Sequence, residues 1–169
     1  MKKAPHNQNA KTLRPQLGFT LLELMVTVAV AVILLAIAVP AFNDITRANK
    51  LSNDVNSIVQ ALFLARSYTN TTLCASVDHA TCSTVTSDWA TGWIITNAGG
   101  VVRGSDRPLT GTTITASGTA AVYDGRGHLP PGTTLTFTFC NGRTGVGAGR
   151  TVTVSSAGLP TTTNYNGCT

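Results

Sequence analysis

One carboxylate, Glu23, lies near the start of an otherwise apolar stretch, and it is the residue whose chemistry most needs a partner. Between residues 19 and 41 the only other residues that are not apolar are Thr20, Thr27 and Pro40. An ionisable group placed in such a segment costs on the order of 2.5–3.5 kcal/mol on insertion scales, so it usually marks function. The alternative is an acid at a helix end, favoured there by the helix dipole. The residues before Glu23 favour the functional role.

The stretch that must position Glu23 is long enough to cross a membrane as a helix. It contains 23 residues, at positions 19–41. At about 1.5 Å per residue this length matches a hydrocarbon core of about 30 Å, so the chain is predicted to be inserted in a membrane at some stage. Pro40 lacks a backbone N–H and is expected to kink the helix near the end of this span.

A short basic segment precedes the span, contains no acid and ends at Gly18. Its charged residues are Lys2, Lys3, Lys11 and Arg14. In an ordinary secretory signal the apolar core precedes the cleavage site and is removed. Here the glycine precedes the core, so cleavage after Gly18 would leave the core on the mature protein. The basic residues predict that this end stays in the cytoplasm, which places the later part of the chain in the periplasm or outside the cell.

This order of features resembles the type IV prepilins, the class that contains pilins, minor pilins and the pseudopilins of type II secretion. The resemblance rests on Gly-Phe-Thr-Leu-Leu-Glu-Leu-Met at residues 18–25 and covers residues 14 to about 40. It implies that a prepilin peptidase cleaves between Gly18 and Phe19, and that Phe19 becomes an N-methylated terminus. Glu23 is then expected to pair with the terminal amine of a neighbouring subunit, since each charge offsets the desolvation of the other. The class implies a bacterial protein of the inner membrane that later joins a filament on the cell surface.

Removal of the leader, residues 1–18, changes what the composition implies. The 169-residue chain has 12 Lys and Arg, 7 Asp and Glu, and a net charge of +5. The leader holds four of the basic residues and none of the acids, which leaves eight basic and seven acidic residues after cleavage. The nucleic-acid binder that the whole-chain charge suggests is therefore weakly supported. The residues after the span suffice for one domain with its own core.

The helix is predicted to continue beyond the membrane, as an amphipathic segment at residues 42–71. Apolar residues recur on one face at Ala48, Leu51, Val55, Ile58, Leu62 and Ala65. A stripe of fewer than three full heptads favours packing of that face on a sheet over a coiled coil. The helix is expected to end near residues 68–71, where Thr and Asn disfavour its continuation.

The remaining part, residues 72–169, is rich in Thr, Ser and Gly and contains short segments typical of strands. A hairpin is predicted around Asn-Ala-Gly-Gly at residues 97–100. Further strands are predicted at residues 113–115, 120–124, 134–140 and 150–155, the last two joined through the Gly-rich loop at 141–149. The fold class is therefore predicted to be α+β: a long N-terminal helix, membrane-spanning in its first half, packed on an antiparallel β-sheet head. This is also the type IV pilin fold that the resemblance implies.

Four cysteines allow three disulfide pairings. Proximity in sequence favours Cys74–Cys82 and Cys140–Cys168, and an oxidising compartment would allow them. The rival is a metal site with His79 between Cys74 and Cys82, but the spacing matches no common zinc module. No metal or other cofactor is expected.

An enzyme is not expected. After removal of the leader the chain keeps two histidines, His79 and His128, and neither lies in a common catalytic motif. Both have an aspartate nearby in sequence, Asp78 and Asp124, and are more economically explained as polar residues of loops. No serine is singled out as a nucleophile.

The head resembles the family of FimT and FimU minor pilins and H-type pseudopilins. The resemblance is carried by Leu-Cys-Ala-Ser-Val-Asp-His-Ala-Thr-Cys from residue 73, Trp89, Gly-Trp-Ile-Ile from residue 92, Tyr-Asp-Gly-Arg-Gly from residue 123 and Gly-Arg-Thr-Val-Thr-Val-Ser-Ser-Ala-Gly from residue 149. It implies a minor subunit in a tip or priming complex of a type IV pilus, with other minor pilins as partners. An H-type pseudopilin of type II secretion is an alternative that the sequence separates poorly from the first.

Some members of that family bind DNA through a C-terminal Gly-Arg-x-Arg motif. The corresponding place here, residues 158–161, has the glycine and neither arginine. Phosphate contacts need Lys or Arg, and the nearest are Arg143 and Arg150, which Arg126 and Arg103 would have to join in space. A DNA-binding minor pilin for natural transformation is therefore a second alternative.

Overall fold

The structure is a computed structural model. It describes residues 19–68, 70–76, 81–82, 88–105 and 111–169. The predicted leader at residues 1–18, with Gly18, and the pair Asp78 and His79 lie outside this part of the chain. The chain divides into two compact units, one ending at Ala41 and the other comprising Phe42–Thr169. Each unit is described by itself.

Helix α1 runs Leu21–Ser67 and continues without a break through Pro40. Its residues up to Ala41 are all exposed. By length and composition α1 could cross a membrane, and it is the one such helix among the described residues. The helix ends at Ser67, just before the expected range.

In the second unit one face of α1 is buried. Its buried residues are Leu51, Val55, Ile58, Ala61, Leu62 and Ala65. The predicted stripe is confirmed from Leu51 onward, whereas Ala48 is exposed. The packed face thus begins one turn later than the apolar pattern, and Ala61 widens it.

Eight strands follow α1 within the described residues, and they form two antiparallel sheets. In chain order they are β1 (Thr71–Ala75), β2 (Trp93–Asn97), β3 (Gly100–Ser105), β4 (Thr113–Ala116), β5 (Ala120–Tyr123), β6 (Leu135–Cys140), β7 (Gly149–Val154) and β8 (Pro160–Tyr165). The first sheet has the order β3-β2-β1-β5 and the second β4-β6-β7-β8. The predicted β2–β3 and β6–β7 hairpins are confirmed.

The predicted antiparallel head is divided into two sheets because β4 and β5, which are neighbours in sequence, pair in different sheets. Strand β4 pairs with β6, whereas β5 pairs with β1. The pattern also does not predict β1 or β8. Strand β1 buries consecutive side chains at residues 73–75, and β8 is exposed along nearly its whole length, so neither alternates.

A single core joins the buried face of α1 to both sheets. Trp89, just before β2, is fully buried and meets Phe137 of β6 edge to face, with ring centroids 4.8 Å apart. Its indole Nε1 donates to the carbonyl oxygen of Gly118, between β4 and β5, at 3.0 Å. A buried tryptophan usually finds such a partner, and this one ties the first sheet to the second.

Two disulfides join Cys74 to Cys82 and Cys140 to Cys168, with Cα–Cα distances of 5.9 and 5.7 Å. These are the pairs that proximity in sequence favours. The second disulfide links the end of β6 to the segment after β8.

The loop after β5 is held between the end of α1 and the loop after β7. The Arg66 Nε donates to the carbonyl oxygen of Gly127 at 3.3 Å. Gly158 adopts φ 74°, and a Cβ there would overlap the same carbonyl oxygen. Glycine is required at position 158 both by its backbone conformation and by the close approach of Gly127.

We expect Gly158→Ala to lower the free energy of unfolding by about 3 kcal/mol or more. The left-handed conformation costs a non-glycine residue about 1–2 kcal/mol, and overlap with backbone adds to it. The matched control is Gly142→Ala, which has φ 75° but open space around its Cβ. Urea unfolding of the purified protein in detergent measures both. Equal losses in the two variants would contradict the importance of the Gly127 contact.

Candidate functional site

The start of α1 carries the residues expected to act in assembly. The Thr20 Oγ1 accepts the N–H of Glu23 at 3.2 Å, which caps the first turn. Thr20 and Glu23 stand at the spacing of a capping box. The Glu23 carboxylate is exposed and forms no ion pair with any described residue. It is therefore available to a cation from another molecule.

The described part of the first unit, residues 19–41, presents an apolar surface on all sides. The large apolar side chains exposed there are Phe19, Leu21, Leu22, Leu24, Met25, Val26, Val28, Val30, Val32, Ile33, Leu34, Leu35, Ile37 and Val39. Soluble monomers rarely expose contiguous apolar patches beyond a few hundred square ångströms. This surface consequently needs lipid or the helices of other subunits around it. Cleavage after Gly18 and methylation of Phe19 stay predictions, since Gly18 lies outside the described residues.

The four arginines considered for DNA contact are only partly brought together. Arg103 lies on β3 and Arg126 follows β5, which are the two edge strands of the first sheet. Arg143 and Arg150 belong to the β6–β7 hairpin of the second sheet. Arg103 and Arg126 thus lie at opposite edges of one sheet, and the structure does not gather the four residues into one patch.

The two arginines of the hairpin already have polar partners. Arg143 Nη1 lies 3.3 Å from Oδ1 of Asp44 on α1. Arg150 Nη1 donates to Oδ1 of Asn164, its register partner on β8. Exposed ion pairs contribute little to stability, but they reduce the charge offered to a polyanion.

Asp124 organises the turn after β5. Its Oδ1 accepts the backbone N–H groups of Arg126 and His128, each at 2.8 Å. Hydrogen bonds to the ionised form, first from His128 and then from Arg126, lower the pKa of the Asp124 carboxyl. The carboxylate therefore serves the backbone of this turn.

Tyr123 carries a titratable hydroxyl whose burial the sequence pattern does not predict. Tyr123 is 1% exposed, and its hydroxyl has no hydrogen-bond partner among the described residues. Burial raises the pKa of Tyr123 to about 12, although the Arg66 charge lowers it in part. Only the position of Tyr123 at the end of β5, alternating with exposed Val122, could have indicated that its ring faces the core.

A basic cleft of about 410 Å³ lies in the second unit. Arg47 and Lys50 of α1 line it together with Gly111, Asn141 and Gly142. Sequence analysis missed this cleft because Arg47 and Lys50 belong to the polar face of an amphipathic helix, where charges are ordinarily solvated.

Comparisons with known proteins agree with this architecture. Residues 13–39 match the prokaryotic N-terminal methylation motif. Residues 54–158, more than half of the chain, match the family described as type II transport protein GspH. No curated protein matches the chain.

Two crystal structures of the type IV minor pilin FimU from Pseudomonas aeruginosa (strain PAO1) share the fold. The first, in space group P21, has a TM-score of 0.56 and 23% identity, and covers 74% of this chain and 99% of that chain. The second, in space group P65, has a TM-score of 0.53 and 23% identity, and covers 70% of this chain and 100% of that chain. The predicted type IV pilin fold is thereby confirmed.

We expect Tyr123→Phe to leave stability at neutral pH unchanged or slightly higher, because no hydrogen bond is lost. Above pH 10 the unfolded tyrosine deprotonates while the folded one stays neutral, so the wild type loses stability up to its folded pKa of about 12. Between pH 9 and 12 the free energy of unfolding of the wild type should fall by on the order of 2 kcal/mol more than that of Tyr123→Phe. Urea unfolding across this range measures the difference.

The exposed Tyr165→Phe is the control for this experiment and should follow the wild type. A Tyr123→Phe variant with the same alkaline loss as the wild type would contradict the assigned burial of the hydroxyl.

Proposed function

The chain belongs to the GspH family, and we propose that it is a minor pilin that assembles through α1 into a tip or priming complex of a type IV pilus. The observation that carries the proposal is the start of α1, where Glu23 is exposed, forms no ion pair with a described residue and begins an apolar surface that no described residue covers. A pilin-like head with a single buried core continues from the same helix. Such a molecule is suited to storage in a membrane and later burial among like helices.

Proteolytic processing is the first step of the proposed assembly pathway. A prepilin peptidase cuts after Gly18, and the new amine at Phe19 is methylated. The match of residues 13–39 to the N-terminal methylation motif supports this step. Amino-terminal sequencing of the mature protein tests it directly.

Assembly is the second step, and Glu23 determines the axial position of the subunit in the filament. Transfer of an apolar helix from lipid to a filament core gains little from the hydrophobic effect, because both surroundings are apolar. A charge pair is different, since a buried carboxylate without its partner costs about 3–5 kcal/mol. Pairing of Glu23 with the terminal amine of a neighbouring subunit therefore selects one position along the filament.

A second candidate function is that of an H-type pseudopilin of type II secretion. The description of the matching family as a type II transport protein favours it, whereas the FimU structures support the pilin fold that both functions share. A deletion strain assayed for surface pili and for exoprotein secretion separates the two. Loss of pili with normal secretion supports the minor pilin, and the opposite result supports the pseudopilin.

DNA capture is not part of the proposal. The described positions of Arg103, Arg126, Arg143 and Arg150 do not form the continuous basic surface that phosphate backbones require. Transformation assayed in the same deletion strain tests this separately.

We expect Glu23→Ala to leave the head folded and the protein in the membrane, but to reduce its amount in sheared filaments at least about tenfold. The reason is the uncompensated amine of the neighbouring subunit. The matched control is Thr27→Ala, another polar residue of the span, whose hydroxyl bonds only its own helix at Leu24 O, 2.9 Å away. Quantitative immunoblots of membranes and filaments measure both variants. Filament levels of Glu23→Ala equal to those of the control would exclude the proposed role.

A further inference from the structure

The basic cleft contains two cations, Arg47 and Lys50, whose partners are not found among the described residues. Arg47 and Lys50 are exposed, and neither forms an ion pair with a described residue. The acid one turn before Arg47 is Asp44, a spacing at which opposite charges on a helix often pair. Asp44 instead pairs with Arg143, 3.3 Å away. Within the described part of the chain, Asp44 is thus engaged by Arg143 and not by Arg47.

Gly111 and Gly142, the backbone wall of the cleft, leave room for an anionic group. Gly111 and Gly142 have φ angles of 87° and 75°, and a Cβ added at either would meet nothing within 4 Å. Asn141, which also lines the cleft, is buried, and its Oδ1 accepts the backbone N–H of Arg143 at 3.2 Å. A backbone wall in the same cleft as a guanidinium and an ammonium suits a phosphate group, which arginine binds by its fork and lysine as a point charge.

The position of the cleft on α1 indicates the source of that phosphate. Phe42, the residue that directly follows the apolar span in sequence, and Ile45 are 69% and 59% exposed. Arg47 lies five residues beyond Phe42, or about 7.5 Å along a helix. The headgroup layer on each side of a bilayer is roughly 5–8 Å thick. Apolar side chains followed at this distance by unpaired cations are typical of a segment that meets the headgroups.

We propose that Arg47 and Lys50, with the backbone wall at Gly111 and Gly142, bind the phosphate headgroup of an anionic phospholipid while the protein is held in the membrane. This rests on the proposed membrane insertion of α1. The cleft would favour anionic over zwitterionic lipid. A nucleic-acid backbone fits less well, because Arg103 and Arg126 lie at the edges of the other sheet and continue no basic track.

The test uses the full chain in a neutral detergent, titrated with phosphatidylglycerol or phosphatidylcholine, with bound lipid counted by native mass spectrometry. The wild type is expected to prefer phosphatidylglycerol. Each basic residue near an anionic surface contributes about fivefold in affinity, so Arg47→Gln with Lys50→Gln should weaken phosphatidylglycerol binding about 30-fold. The control, Arg103→Gln with Arg126→Gln, removes the same charge elsewhere and should change binding by less than about twofold. Arg47→Lys keeps the charge and should retain most of the binding.

Four results would overturn the proposal. They are equal binding of the two lipids, equal losses in the two double variants, displacement of lipid by equimolar inorganic phosphate, and displacement by a DNA oligonucleotide at equal phosphate. The third would assign the cleft to free phosphate and the fourth to nucleic acid. Membrane extraction with alkaline carbonate is measured in parallel. Release of the wild type by carbonate contradicts the proposed membrane insertion. Retention in the membrane without a preference for phosphatidylglycerol contradicts only the proposed lipid binding at the cleft.

Discussion

The constraint on which this structure depends is that one continuous helix must satisfy two surroundings. Up to Ala41 no residue of α1 is covered, whereas from Leu51 onward one face is packed into the head. The two parts obey different rules for burial. The first is apolar around its whole circumference and takes its stability from molecules outside the chain. The second is amphipathic, and it is stabilised by the removal of one stripe from water.

The head is built to hold the second part of α1 in place. Its core is continuous from the helix face through β1 and β2 to β6 and β7. Trp89 joins the layers through its ring contact with Phe137 and its hydrogen bond to Gly118. At the end of the helix, Arg66 reaches the loop after β5, which in turn lies against Gly158. The helix is thus secured along its face by apolar contacts and at its end by backbone contacts.

Much of this organisation follows from the sequence. The features that do not follow from it have a common physical cause. The apolar span, the stripe from Leu51 to Ala65 and the β6–β7 hairpin are visible because they repeat with the period of a helix or a strand. Strands β1 and β8 do not alternate, and the division into two sheets is decided by pairing between segments far apart in the chain. The burial of Tyr123, the close approach at Gly158 and the cleft at Arg47 likewise depend on residues distant in sequence, which no local pattern records.

Strand β8 shows how covalent chemistry can replace apolar burial. It is exposed along nearly its whole length and contributes almost nothing to the core, yet it completes the second sheet beside β7. The Cys140–Cys168 bridge spans a sequence separation of 28 and encloses both strands, which by chain entropy is worth about 3–4 kcal/mol. In a reducing compartment this contribution vanishes. The edge of the second sheet is therefore held both by backbone pairing of β8 with β7 and by a covalent closure, and the share that the closure contributes depends on the redox state of the compartment.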